Sequence, residues 1–152
     1  MSSLGNPDLL ERHLVAFFAS RSVTPETECR CIAWAERISK SQAVVISGFH
    51  SPLERKILGI LLANRCSVVM VLGRRMYKRI PEEYRLAIDE GRMLIDTVRD
   101  LPRQSMNSAQ IRNWYVAKIA DEIYFAPFEA ESMLSAMHYH YTHYGNKRVQ
   151  IL

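Results

Sequence analysis

The chain has 152 residues, and at about 150 residues per domain this predicts one domain with enough length to bury a core. With 48% hydrophobic and 24% charged residues, and only 6 Gly and 6 Pro, the composition excludes collagen-like, low-complexity and disordered classes. The net charge of +4, from 20 Lys and Arg against 16 Asp and Glu, is too small by itself to mean nucleic acid. The placement of the charge is more informative, since Arg74, Arg75, Lys78 and Arg79 fall within six residues.

No apolar run approaches the ~18 residues of a membrane span. Asp8 and Glu11 precede the short apolar run Leu14 to Ala19, a pattern without the basic region and apolar stretch of a secretion signal, so the expected location is cytoplasmic. Three cysteines, an odd number, are expected as reduced thiols.

In chain order, short β-type runs alternate with helical patterns. This is the signature of a parallel sheet covered on both faces, a three-layer Rossmann-like α/β domain. Six strands are predicted, at Leu14 to Phe18, Ala43 to Ile46, Val68 to Leu72, Met93 to Ile95, Glu122 to Phe125 and Arg148 to Ile151, mostly compact apolar runs. Between them, Thr24-Pro25, Ser51-Pro52 and Ile80-Pro81 place proline where a helix begins. Ser51-Pro52-Leu53-Glu54 has the residues of a capping box, and Gly91 and Gly145 read as helix stops. The segment Asp96 to Asn107, containing Pro102, is the one long loop expected.

In such a sheet, ligands bind beyond the carboxyl ends of the strands. Ser20, Arg21 and Ser22 follow the first predicted strand; Ser47, Gly48, His50 and Ser51 follow the second; Gly73 and Arg74 follow the third; Pro127, Phe128 and Glu129 follow the fifth. A helix N-terminus offers free N–H groups and partial positive charge, so Gly48 beside the cap at Ser51 reads as a phosphate cradle with Arg21 and Arg74 as counter-charges, or simply as a turn. Arg112 falls on the apolar arc of a helix predicted over Ser108 to Ala120, with Ile111, Tyr115, Val116 and Ile119. A charge there needs a partner. The sequence offers a buried carboxylate, Asp121 or Glu129, or a bound anion.

Ala19-Ser20-Arg21, Ile46-Ser47-Gly48, Gly91-Arg92-Met93-Leu94-Ile95 and Arg112-Asn113 followed by Ile119-Ala120-Asp121 together resemble, in order and spacing, the core of the DprA/Smf DNA-processing family. That family lies within the SLOG superfamily, which also holds the Lonely Guy phosphoribohydrolases. The resemblance covers roughly Leu14 to Val149 and implies a site for single-stranded DNA or a nucleotide built from Ser20, Arg21, Ser47, Gly48, Arg112 and Asn113. The partners implied are single-stranded DNA or a nucleotide and no membrane, with a homodimer as a further expectation; no cofactor is implied.

The departures bear on activity. DprA-like chains carry E-A-x-x-S-G-S after the last core strand, and Lonely Guy enzymes P-G-G-x-G-T-x-x-E. This chain reads Glu129-Ala130-Glu131-Ser132-Met133-Leu134 and keeps only Pro127 of the second motif. Without those glycines the backbone approaches a phosphate less closely, which argues against phosphoribohydrolase chemistry. The expected function is therefore a binding module rather than an enzyme. Nucleotide cleavage with Glu129 or Glu131 as the carboxylate, and a degenerate protein-interaction scaffold, stand as alternatives.

His138, His140 and His143 invite a metal reading. At about 100° per residue, however, His140 and His143 lie roughly 160° and 140° from His138 around a helix, so no metal site is expected. Cys29 and Cys31, two residues apart, point to nearly opposite faces, and Cys31 joins Trp34, Ala35 and Ile38 in a core stripe.

Overall fold

The computed structural model describes residues 2–152. Seven strands form one sheet in the order β1-β5-β4-β3-β2-β6-β7, with β1 at Ser3–Gly5, β2 at Leu14–Phe18, β3 at Val44–Ser47, β4 at Val68–Leu72, β5 at Met93–Thr97, β6 at Glu122–Phe125 and β7 at Arg148–Ile151. All pairings are parallel except that of β1 with β5. Helices α1 (Pro25–Ile38), α2 (Pro52–Ala63) and α3 (Glu82–Asp89) supply one core layer. The short 3-10 turn Pro7–Glu11, α4 (Met106–Ile119) and α5 (Met133–Tyr144) supply the other.

Strand alternation divides the core. Val15 and Phe17 face the α1 side, where Phe17 stacks on Trp34 with ring centroids 5.1 Å apart. Ala16 and Phe18 face the α4 and α5 side, where Phe18 stacks on Phe125 at 5.4 Å. Because both faces are covered, β2, β3, β4 and β5 are buried at every residue, which is why they read as continuous apolar runs. Cys31 and Cys66 are buried and Cys29 exposed, and all three are free; burial pushes the thiols of Cys31 and Cys66 up to about 11.

The helix starts follow from their caps. Thr24 accepts a hydrogen bond from the Thr27 N–H, and Ser51 forms the expected reciprocal box with Glu54. Pro81, expected as a first helical residue, instead occupies the capping position before α3. Helix α4 begins two residues ahead of the expected Ser108, because Ser105 and Ser108 cap each other's backbone N–H. Ser132 caps α5 through the Ser135 N–H, so that helix starts after the expected Glu131.

The sequence reading missed β1, the seventh strand, since Ser-Leu-Gly has no alternation to reveal it. Its effect reaches the predicted long loop. The Ser3 hydroxyl donates to Asp96 Oδ1 and the Ser2 N–H donates to the Thr97 hydroxyl at 2.9 Å, so both residues belong to buried β5 and the loop shortens. Gly5, at φ +116°, is obligatory here because a Cβ would lie 2.2 Å from the Met93 carbonyl oxygen.

Candidate functional site

The sheet order reverses between β2 and β6, the topological switch point of an open α/β sheet. At the carboxyl ends of these two strands lies a cleft of about 680 Å³, lined by Ser20, Arg21, Ser22 and Thr24 after β2 and by Phe128 and Glu129 after β6. A second depression of about 320 Å³ opens beside it, beyond the ends of β3 and β4. It is lined by Gly48 and His50 of the β3–α2 loop, Arg55 of α2, Arg74 after β4 and Arg112, which reaches the strand ends from α4.

The sequence-derived residues thus gather at one edge but divide between two hollows. Ser20, Arg21 and Glu129 border the larger; Gly48, His50, Arg74 and Arg112 border the smaller. Three others take supporting positions. Ser47 is fully buried and its hydroxyl accepts from the Phe49 N–H at 3.1 Å, fixing the loop. Ser51 caps α2. Asn113 is buried beside Arg112, accepting from its Nε through Oδ1 at 3.1 Å while Nδ2 contacts Met133 Sδ at 3.2 Å.

Arg112 resolves differently from either pairing offered by the sequence. It is only 5% exposed, yet its hydrogen-bond partners are neutral, Asn113 and the Gln104 side-chain oxygen. Asp121 lies at the other end of β6, where Oδ2 accepts from the Leu14 N–H at 2.8 Å, and Glu129 is exposed in the larger cleft. The carboxylate that acts on Arg112 through space is Glu54. Burial lowers the Arg112 pKa and Glu54 partly offsets this, leaving a guanidinium near the surface of a pocket without a carboxylate bonded to it among the described residues.

Glu54 was legible as half of a capping box but not as a clamp. It is 4% exposed and accepts three backbone N–H bonds: Ala19 on Oε2 at 3.0 Å, and His50 and Ser51 on Oε1 at 2.9 and 3.2 Å. Burial raises its pKa while these three donors and Arg112 oppose the rise. One carboxylate therefore joins the end of β2 to the loop after β3.

Gly48 makes the approach of Arg112 possible. A Cβ at this position would lie 2.5 Å from Arg112 Nε and 2.7 Å from Cζ, inside any real contact distance. Gly73 does the same for the first turn of α4, whose Ser108 carbonyl would meet a Cβ at 3.0 Å. Around this frame the charge is of one sign. His50, exposed at the rim, is held below the ordinary histidine pKa by partial burial and then by Arg112, Arg55, Arg21 and Arg74. Arg74 also lies over the Tyr77 ring at 4.5 Å. Arg55, Tyr77, Tyr84 and Gln104 were not singled out from sequence, because each lies in a helix or loop whose approach to Gly48 depends on the tertiary fold.

The three histidines of α5 separate: His138 packs on Phe125 and Phe128, His140 on Trp114, and His143 stacks on Tyr139.

Fold and site together define an open Rossmann-like α/β domain with a cluster of arginines at the carboxyl ends of its strands. Solved structures carry the same fold. DNA processing protein A from Helicobacter pylori, described with its single-stranded DNA binding mode, superposes with a TM-score of 0.77 at 20% identity, covering 98% of this chain and 69% of that one. DprA from Streptococcus pneumoniae superposes with a TM-score of 0.77 at 18% identity, covering 98% of this chain and 53% of that one. No family model and no curated protein sequence matches the chain. The chain has a DprA-like fold, and no helix among the described residues is long and apolar enough to cross a membrane.

Proposed function

We propose that the chain binds single-stranded DNA, or a nucleotide, through phosphates at the carboxyl edge of its sheet. The observation carrying this reading is the buried Arg112, set against Gly48 with only neutral partners and facing a pocket that Arg55 and Arg74 also line. A desolvated cation without a carboxylate is costly in the free protein, and an anionic ligand supplies the missing partner. The DNA-binding description of the Helicobacter pylori neighbour supports the choice of anion. A homodimer is part of the proposal, and sedimentation of the purified chain tests it.

Fluorescence anisotropy with a labelled oligothymidine at several salt concentrations tests the site. Each phosphate contact with a single strand contributes a slope of about −0.7 in log affinity against log salt, so three or four contacts give roughly −2 to −3. Arg21→Ala and Arg112→Ala should each weaken binding and flatten the slope by nearly one contact. Arg12→Ala is the control, because Arg12 sits at the opposite edge, donating to the Gln42 carbonyl at 2.7 Å. Undetectable binding at low salt, or equal losses for Arg12 and Arg112, would reject the DNA site.

The size of the switch-point cleft favours one second reading, cleavage of a nucleoside monophosphate with Glu129 as the carboxylate, since about 680 Å³ lies in the ordinary range for small-molecule sites. Release of free base by the wild-type chain, lost in Glu129→Gln, would establish it. The expected result is no release, because Ser132 already caps α5 and the segment before it has no glycine to bring backbone to a phosphate.

A further inference from the structure

The two hollows at the ligand edge differ in chemistry as well as size. The larger is bordered by the hydroxyls of Ser20, Ser22 and Thr24, the Phe128 ring, one arginine and one carboxylate, Glu129. The smaller has half its volume, and all its charged walls are cationic: Arg55, Arg74 and Arg112, with His50 at the rim. Its remaining wall holds the phenols of Tyr77 and Tyr84, whose rings meet edge to face at 6.0 Å. Burial, reinforced by Tyr77 and Glu83, pushes the Tyr84 hydroxyl up to about 12, so this wall adds no negative charge to the hollow.

The nearest buried carboxylate, Glu54, is occupied by three backbone N–H groups and bonds to none of these cations. Three guanidinium groups against that one partly compensated carboxylate leave a local excess of about two positive charges. An internal phosphodiester brings one negative charge and must have chain on both sides. A phosphomonoester brings about −1.5 to −2 at pH 7, three acceptor oxygens and only one chain connection. The smaller hollow, whose charged side chains are all cationic, fits the second.

We propose that the depression formed by Gly48, His50, Arg55, Arg74 and Arg112, walled by Tyr77 and Tyr84, is a receptor for a terminal phosphomonoester. The proposal rests on the reading of this edge as a phosphate site and specifies what the smaller hollow holds: the phosphorylated end of a single strand, or a free mononucleotide. The neighbouring switch-point cleft takes the sugar and base that follow. Arg112 presents its guanidinium from the floor, Arg55 and Arg74 flank the phosphate, and the Tyr77 and Tyr84 rings close the remaining side. Recognition is then of a chain end rather than of chain passing through.

Calorimetry at pH 7.5 tests this with one oligothymidine in three forms, bearing a 5′-phosphate, a 3′-phosphate or neither, together with thymidine 5′-monophosphate. One phosphorylated strand should bind about tenfold more tightly than the unphosphorylated strand. Arg55→Gln and Arg74→Gln, both at accessible positions, should reduce that preference below threefold. They should weaken binding of the phosphorylated strand more than that of the unphosphorylated strand, with an unchanged thermal midpoint to show that the fold is kept. Tight binding of the mononucleotide with no preference among strands would assign the receptor to the free nucleotide. Equal binding of all three strands, with the mononucleotide unbound, would overturn the end receptor and leave the DNA edge standing. A preference that survives replacement of both arginines would also overturn it. Failure of every ligand to bind would remove the phosphate reading itself.

Discussion

The two edges of the sheet use the same residue types to opposite ends. At the amino edge several charges have carboxylate partners: His13 Nε2 lies 2.5 Å from Glu122, and Glu90 holds both Arg65 at 2.6 Å and Arg92 Nη2 at 2.5 Å, although Arg92 Nε and Nη1 are buried without a partner and Lys147 donates to the neutral Ala117 and Lys118 carbonyls at 2.6 and 2.5 Å. At the carboxyl edge, Arg55, Arg74 and Arg112 have no carboxylate bonded to them; the pairings on that side are Lys56 with Glu28 at 2.5 Å, near the starts of α2 and α1, and the long, exposed contact of Arg75 with Asp100 at 3.8 Å. A net charge of +4 does not reveal this difference, which lies in the pairing of particular residues. Matched charge holds the structure together, whereas under the proposed function the guanidinium groups without a carboxylate are where an anionic ligand binds.

Substitutions can break this contrast at either edge. The largest effect on binding is expected from Gly48→Ala, which forces the Arg112 side chain from its seat. Affinity for an oligothymidine should fall at least tenfold, with a stability loss of about 1–3 kcal/mol from overpacking, read by anisotropy and urea unfolding. Glu54→Gln keeps the shape but replaces one accepting oxygen with an amine that faces a backbone N–H. It should cost about 1–3 kcal/mol of unfolding free energy.

Arg112→Gln and Asp121→Asn form the paired test of the two edges. The first should weaken binding while leaving unfolding free energy within about 1 kcal/mol of wild type, because the buried cation has only neutral partners. The second should leave binding unchanged and lose about 1–2 kcal/mol, since Asp121 Oδ2 accepts the Leu14 N–H.

The smallest effect is on pH dependence and sharpens the comparison at the ligand edge. The folded-state pKa of His50 is depressed, so between that value and the ordinary 6.5 the unfolded chain binds more protons. Its contribution to stability is therefore present above about pH 6.5 and is lost as the pH falls through that range. Added sulfate, a dianion at both pH values, should by compensating the surrounding arginines raise the thermal midpoint more at pH 5.5 than at pH 7.5. His50→Gln should remove that difference.

Much of the fold was legible because buried parallel strands and proline-marked helix starts leave strong local signals. Leu14–Phe18, Val68–Leu72, Glu122–Phe125 and Arg148–Ile151 fall where the apolar runs predict them. Strand β1 escaped because three residues pairing across 89 to 93 positions, as in Ser3 with Asp96 and Leu4 with Ile95, have no local pattern. The site was legible in part for the same reason. Loops at strand ends could be located from the runs that precede them, and Arg112 could be flagged as a charge on an apolar arc. That Arg112 meets Gly48, and that Glu54 rather than Asp121 or Glu129 is its electrostatic neighbour, depends on α4 crossing beneath β3 and β4.

Glu54 also ties the rims of the two hollows together. Its one oxygen holds the Ala19 N–H, immediately before the Ser20 and Arg21 rim of the larger cleft, and its other holds the loop of the smaller. A rotation of this side chain cannot release one rim without loosening the other. A ligand whose binding differs in free energy between the tightened and loosened loops on one side therefore alters affinity on the other, by the same factor in both directions.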